Sequence, residues 1–222
     1  MEAVASELVR ALRGSRSQAS FSRRLGYRGN VVSDWEAGRR FPTAEEALRA
    51  CTCVGIDVEA AFVRFHPVVA PALKEGLHAW LDALRGTTTL AQIAANTGRS
   101  RFAVARWLSG RARPRLPDWL RLVEALSGRL TDLVAELVPI EKVARLRKLH
   151  AARLASRRLA SEEPWTEAVL RAVETGRTTA DEIAATLGLP LADAERCLGM
   201  LTTAGIITGL NPKSWVTPMS GV

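Results

Sequence analysis

The stretch Arg99-Ser-Arg-Phe-Ala-Val-Ala-Arg-Trp-Leu-Ser-Gly-Arg-Ala-Arg-Pro-Arg115 joins a run with helical apolar spacing to a basic loop. Val104 and Trp107 stand three positions apart, so a helix turns both toward the element that precedes it. The residues left on the opposite side are Arg101, Phe102, Ala105 and Arg106. Because the major groove of DNA accommodates an α-helix and offers acceptors to arginine, the pattern favours a DNA-recognition helix.

The residues just before that stretch predict a partner helix and a tight turn. Ile93, Ala94 and Thr97 give the partner helix an apolar stripe. Gly98 follows at the point where a helix-turn-helix needs a residue that tolerates a left-handed backbone. The sequence therefore predicts a helix-turn-helix.

The chain repeats itself when it is shifted by 72 positions without a gap. Trp35 then falls on Trp107 and Pro42 on Pro114, and this many coincidences indicate a tandem duplication. The other matches are Ala11–Gly14 with Ala83–Gly86, Gly26 with Gly98, Gly38-Arg39 with Gly110-Arg111, Leu48-Arg49 with Leu120-Arg121, and Pro67 with Pro139. Gly and Pro interrupt the apolar stretches, so each copy is predicted to form four or five helices.

Three pairs of residues have the spacing of a capping box, in which each side chain satisfies a free backbone amide at a helix start. They are Thr43 with Glu46, Thr89 with Gln92, and Thr179 with Glu182. Four tryptophans stand among apolar neighbours and are expected in the core rather than as base-stacking platforms. These are Trp35, Trp80, Trp107 and Trp119.

The first copy contains Ser17-Gln-Ala-Ser-Phe-Ser-Arg-Arg-Leu-Gly-Tyr-Arg-Gly-Asn-Val-Val-Ser-Asp-Trp-Glu-Ala-Gly-Arg-Arg-Phe-Pro42, which resembles the Cro/cI-type repressor family. That family typically shows a Ser-Gln helix start, a Leu-Gly turn, a recognition helix ending near Trp-Glu, and then Gly-Arg and Pro. The second copy resembles it too, but Leu90 and Leu108 replace the Gln and the Glu. The resemblance implies a phosphate contact for Gln18 that the second copy lacks.

The resemblance also implies that the third helix of each copy lies in the major groove. In the first copy Val32 and Trp35 are expected to pack inward, and the residues that face DNA are Arg28, Asn30 and Ser33. Asp34 either accepts a hydrogen bond from cytosine or pairs with a neighbouring arginine.

In the second copy Arg101 and Arg106 are the candidates for base contacts, and Phe102 for contact with a thymine methyl group. Arg99 and Ser100, at the start of the same helix, complete this candidate set. The loops after the two helices are expected to contact phosphates through Arg39, Arg40, Arg111, Arg113 and Arg115. Alternatively, these arginines solvate a helix end and pair with Glu36 or Asp118.

Residues 140–163 are basic and contain neither Gly nor Pro, which predicts one long linker helix. It is expected to act as an arm that follows phosphates, as a dimerisation helix, or as a spacer. Residues 164–222 resemble the small winged-helix module of some bacterial regulators, with helices over 165–174, 179–187 and 191–204 and two strands about a turn at 209–212. Asp193, Glu195 and a local net charge of −2 favour protein contact over DNA contact there.

The whole chain carries 31 basic and 23 acidic side chains, a net charge of +8, which favours a polyanionic partner. No apolar run is long enough to span a membrane and no export signal is evident, so a cytoplasmic, nucleoid-associated location without membrane contact is expected. The three cysteines are expected to be reduced and mostly buried. The three histidines stand far apart in the sequence, and we expect no catalytic residue, metal or cofactor.

The sequence therefore predicts a mainly all-α chain with a small C-terminal β-hairpin. Its expected domains are two helix-turn-helix domains (1–66 and 67–139), a linker helix (140–163) and a winged-helix-like domain (164–222). The predicted function is sequence-specific binding of double-stranded DNA by a transcriptional regulator, a repressor. A homodimer and a protein partner for residues 164–222 are further expectations. The alternative is an adaptor protein with nonspecific affinity for nucleic acid.

Overall fold

The computed structural model describes residues 1–162, 165–177, 179–211 and 214–216. The chain is mainly helical, as predicted. It divides into two compact units, an N-terminal unit, Met1–Arg147, and a C-terminal unit, Lys148–Val222.

The N-terminal unit contains both copies of the repeat, each with five helices. The first copy consists of α1 (Glu2–Arg13), α2 (Gln18–Arg24), α3 (Val31–Glu36), α4 (Ala44–Cys53) and α5 (Val58–Phe65). The second consists of α6 (Leu77–Arg85), α7 (Leu90–Thr97), α8 (Arg101–Leu108), α9 (Leu116–Ser127) and α10 (Leu130–Leu137). A 3₁₀ segment, Ala70–Glu75, lies between them. We call residues separated by 72 positions equivalent.

Local sequence chemistry sets the ends of these helices. The predicted capping boxes are present at Thr43 with Glu46 and at Thr89 with Gln92, where side chain and backbone bond reciprocally. Gly98 ends α7 in the left-handed region, at φ 64° and ψ 28°, as the turn prediction required. These predictions are confirmed.

One continuous core serves both copies, although the sequence had suggested separate domains over 1–66 and 67–139. Trp80 of the second copy lies 4.7 Å from Phe62 and 6.1 Å from Phe65 of the first, measured between ring centroids. Of the four tryptophans expected in the core, Trp35, Trp80 and Trp119 are buried and Trp107 is half-buried against it. The aromatic cluster joins the two copies, because side chains from both contribute to it.

The two copies also meet through equivalent residues. Thr43 and Arg115 form an isolated antiparallel bridge, which is flanked by two backbone hydrogen bonds. The amide of Ala44 donates to the carbonyl of Pro114 (3.0 Å), and the amide of Leu116 donates to that of Pro42 (2.8 Å). Helices α5 and α10, which are equivalent, pack against each other.

The predicted linker helix begins later than expected. Ile140–Lys142 is a 3₁₀ segment, and α11 spans Ala144–Glu162. Val143 and Leu146 are buried in the core of the N-terminal unit, while Leu154 is 45% exposed.

The C-terminal unit contains α12 (Thr166–Glu174), α13 (Ala180–Leu187) and α14 (Leu191–Thr203), near the predicted helices. Thr179 and Glu182 form the predicted capping box. Two strands, β1 (Thr208–Asn211) and β2 (Ser214–Val216), pair antiparallel. Gly209 to Asn211 thus belong to a strand and not to a turn, and the rest of the predicted turn, including Pro212, lies outside the described residues.

The three cysteines all lie among the described residues and are reduced thiols, as expected. Cys51 and Cys197 are buried and Cys53 is half-buried. Burial raises the pKa of the Cys51 thiol to about 12, so this side chain behaves as a small apolar group at neutral pH.

Candidate nucleic-acid interface

The second copy builds a compact helix-turn-helix. Helix α7 packs against α8, and only residues 98–100 separate them. The Ser100 hydroxyl caps α8 by accepting a hydrogen bond from the Ala103 amide (3.2 Å), so this candidate residue has a structural role. Val104 is buried and Trp107 half-buried, which confirms the predicted inner side of the helix.

The outer side of α8 presents a basic and an aromatic side chain together. Arg101, Phe102 and Arg106 are exposed, and Phe102 is 72% exposed. The Arg106 guanidinium lies over the Phe102 ring, 5.6 Å from its centroid, in a cation–π contact one helical turn apart. This outer surface therefore combines hydrogen-bond donors with an apolar contact, and α8 itself contains no acidic residue.

The first copy has a longer turn and a shorter third helix. Residues 25–30 separate α2 from α3, and α3 starts two equivalent positions later than α8. Arg28 and Asn30 are exposed in this turn, and Ser33 is half-buried on α3. The Ser22 hydroxyl anchors the turn, because it accepts from the Val32 amide (3.1 Å) and lies 3.3 Å from Asn30 Oδ1. Its shortest hydrogen bond is donated to the Gln18 carbonyl (2.8 Å).

An ion pair covers part of the outer side of α3. Arg39 donates to one carboxylate oxygen of Asp34 through Nη2 (2.6 Å) and Nε (2.8 Å). Of the two roles predicted for Asp34, pairing with a neighbouring arginine is the one observed. Arg106 occupies the equivalent position in the second copy, so α3 and α8 carry opposite charges at this point.

Gln18 takes part in a network inside the protein. Its Nε2 donates to Glu36 Oε2 (2.8 Å), and Arg13 donates through Nε to Glu36 Oε1 (2.5 Å). Burial by itself would raise the pKa of Glu36, but hydrogen bonds from Arg13 and Gln18 and the charges of Arg13 and Arg10 hold that pKa below its ordinary value. Sequence analysis missed Arg13, which lies outside the motif at the end of α1.

The loop arginines predicted to contact phosphate lie at the surface. Arg40, Arg111, Arg113 and Arg115 are exposed. Arg115 also donates to the Phe41 carbonyl (2.9 Å) at the bridge between the copies.

The alternative prediction paired the loop arginines with Glu36 or Asp118, but these two acidic residues have other partners. Asp118 pairs with Arg99 (2.7 Å) and with Arg121 (3.1 Å). Arg99, a predicted DNA contact, is therefore held in an ion pair within the protein. Glu36 pairs with Arg13, as described above, and more distantly with Arg10 (3.9 Å).

Tyr27 was not among the predicted site residues, although it supports α3. Its hydroxyl donates to Glu46 (2.8 Å), and its ring packs edge-on against Trp35 of α3, with centroids 5.5 Å apart. Glu46 also closes the capping box of Thr43 at the bridge. Tyr27 thus connects α3 to the contact between the copies.

In the part of the chain that the structure describes, no group of three or more His, Cys, Asp or Glu residues is arranged to hold a metal ion. None of its helices is both long enough and apolar enough to cross a bilayer.

Comparison of the chain with protein-family models, with curated proteins and with solved structures gives no significant match.

The lowered pKa of Glu36 predicts a pH-dependent contribution to stability. The stability that ionised Glu36 contributes is fully present above the ordinary carboxyl pKa of 4.5. It is lost as the pH falls through the lowered pKa of Glu36. Near pH 7, Glu36→Gln should lower the free energy of unfolding by about 1–2 kcal/mol, because a charge-assisted pair is lost. As the pH falls through the lowered pKa of Glu36, the stabilities of the two proteins should converge.

Urea unfolding followed by tryptophan fluorescence at a series of pH values measures this difference. Glu59→Gln is the control, because Glu59 is exposed on α5 of the same unit. If the free energies of unfolding of Glu36→Gln and of the unsubstituted protein differ by the same amount throughout the acid range, the result would contradict the assigned network.

Proposed function

We propose that the chain is a sequence-specific regulator that binds double-stranded DNA through α3 and α8 and acts as a repressor. The observation that supports this most is the exposed outer side of α8, where Arg101, Phe102 and Arg106 lie together without an acidic neighbour on the helix. Arginine suits guanine in the major groove, and an aromatic ring suits a thymine methyl group. We propose repression rather than activation because a protein that covers a promoter blocks polymerase and needs no separate activating surface to do so.

The two copies have different roles in this proposal. The second copy supplies most of the base discrimination through α8. The first contributes Arg28 and Asn30 from its longer turn, with Asp34 and Arg39 offsetting each other. Arg40, Arg111 and Arg113 are exposed and carry the phosphate contacts, which set the position of the protein on the duplex.

For the C-terminal unit we propose a winged-helix-like module that contacts protein, either a second chain or another partner. Its α14 carries Asp193 and Glu195, and Arg196 pairs with Asp193 (2.8 Å). Trp165 and Leu191 are 46% and 43% exposed. An acidic helix beside exposed apolar side chains suits a protein surface better than a phosphate backbone. We assign no catalytic role to either unit.

Selection of bound sequences from a random duplex pool at near-physiological salt tests the proposal. The intact protein should enrich one motif, and Arg101→Ala/Arg106→Ala should lose or relax one part of it. Each arginine that contacts guanine accounts for about 1–3 kcal/mol of discrimination.

The matched control is Arg171→Ala/Arg177→Ala, which removes the same charge from exposed side chains of the C-terminal unit. It should leave the motif unchanged. If the intact protein enriches no motif and its binding only falls steeply with salt, the regulator proposal fails and the adaptor alternative gains support.

The ion pair on α3 yields a separate prediction. Asp34→Asn removes a carboxylate near the proposed DNA surface and releases Arg39. Affinity for the selected duplex should rise by about threefold to tenfold, and the slope of log K against log salt should steepen by about 0.9 for the released charge. A salt titration of the dissociation constant measures both.

Asp193→Asn is the control, because it breaks a comparable ion pair on α14. It should change neither affinity nor slope. A loss of affinity for Asp34→Asn would instead show that Asp34 contacts a base or positions Arg39.

A further inference from the structure

The contact between the copies has the form of a two-fold axis. At Thr43 and Arg115 a position meets its own equivalent, and the chain directions there are antiparallel. The two flanking hydrogen bonds are equivalent to each other, because Ala44 is equivalent to Leu116 and Pro42 to Pro114. Swapping the two copies therefore turns each of these bonds into the other. A residue that faces its own counterpart across an antiparallel contact lies on the axis of an isologous interface.

A second contact lies on the same kind of axis. Helices α5 and α10 are equivalent and pack together. Across them Arg64 and Glu136, also equivalent to each other, form an ion pair of 2.5 Å. Two such points define a rotation that relates the copies, whereas a simple translation along the chain would bring non-equivalent residues together.

This rotation applies to the recognition helices as well. Each is held by the same neighbours in its own copy, since α2 packs on α3 and α7 on α8. A two-fold pair of helix-turn-helix units meets two half-sites that are inverted relative to each other, about 34 Å apart. Tandem copies related by translation would instead meet direct repeats.

The residues at equivalent positions on the two helices differ in kind. Asn30 is equivalent to Phe102, and Asp34 to Arg106. Gly29 is equivalent to Arg101. Donors, acceptors and charge are therefore distributed differently over the two halves of the surface, so the halves require different bases.

We propose that one chain fills one complete operator, which consists of two inverted half-sites of different sequence. This inference rests on the proposed function and adds the orientation of the half-sites and the number of chains. The two half-sites run in opposite directions, as they do in a palindrome, but their base sequences differ. A second chain is not needed to complete it.

Hydroxyl-radical footprinting of both strands of the selected duplex, with the intact protein, tests the orientation. Phosphate contacts come from both copies, so the protected positions on one strand should map onto those of the other by a half-turn about the site centre. Sedimentation velocity of the same complex should give one chain per duplex. Protections that repeat in one direction along a strand, or a requirement for two chains, would overturn the inference.

A second measurement, which needs no variant protein, changes the distance between the two half-sites on the DNA. Insertion of about 5 or about 10 base pairs between the half-sites should each lower affinity by about a hundredfold, because a shared core cannot stretch to the new separation. Tolerance of the longer insertion would mean independently tethered copies and would overturn the inference while leaving the proposed function intact. Failure to enrich any duplex would overturn both.

Discussion

Two backbone hydrogen bonds between Pro42–Ala44 and Pro114–Leu116 hold the N-terminal unit in its arrangement. They lie just before α4 and α9, so they fix the start of one equivalent helix in each copy. The aromatic cluster around Trp80 and the packing of α5 on α10 bury apolar surface on the same contact. Burial supplies most of the free energy there, while the directional bonds set the register.

That contact also determines how the surface can meet a ligand. Tyr27 and Glu46 couple α3 to the bridge, and the Arg115 side chain closes it from the second copy. Because α3 and α8 belong to one core, their separation is set by the fold rather than by a linker. The proposed binding of DNA at both helices would then avoid the ordering cost that a flexible pair of domains incurs.

Several features of the N-terminal unit could be predicted from the sequence, because they depend on local chemistry. The turn at Gly98, the capping boxes and the burial of Val32 and Val104 follow from spacing and residue type. The pairing of the copies did not follow, because contacts between residues 72 positions apart leave no periodic signal. The Asp34–Arg39 pair was one of the two roles predicted for Asp34. The contacts of Arg99 with Asp118 and of Arg115 with the Phe41 carbonyl were not predicted, because they join residues far apart in the sequence.

The direct test of the two-fold pairing is a disulfide between Thr43→Cys and Arg115→Cys in one chain. The pair lies between the two exchanged hydrogen bonds, so it is a non-hydrogen-bonded antiparallel pair with a Cα separation of about 4.5 Å, within disulfide range. Mild oxidation should link residues 43 and 115 within a chain of monomeric mass, as peptide mapping would show, whereas Thr43→Cys/Arg111→Cys should link poorly. Absence of the 43–115 disulfide, or its formation only between chains, would contradict the account.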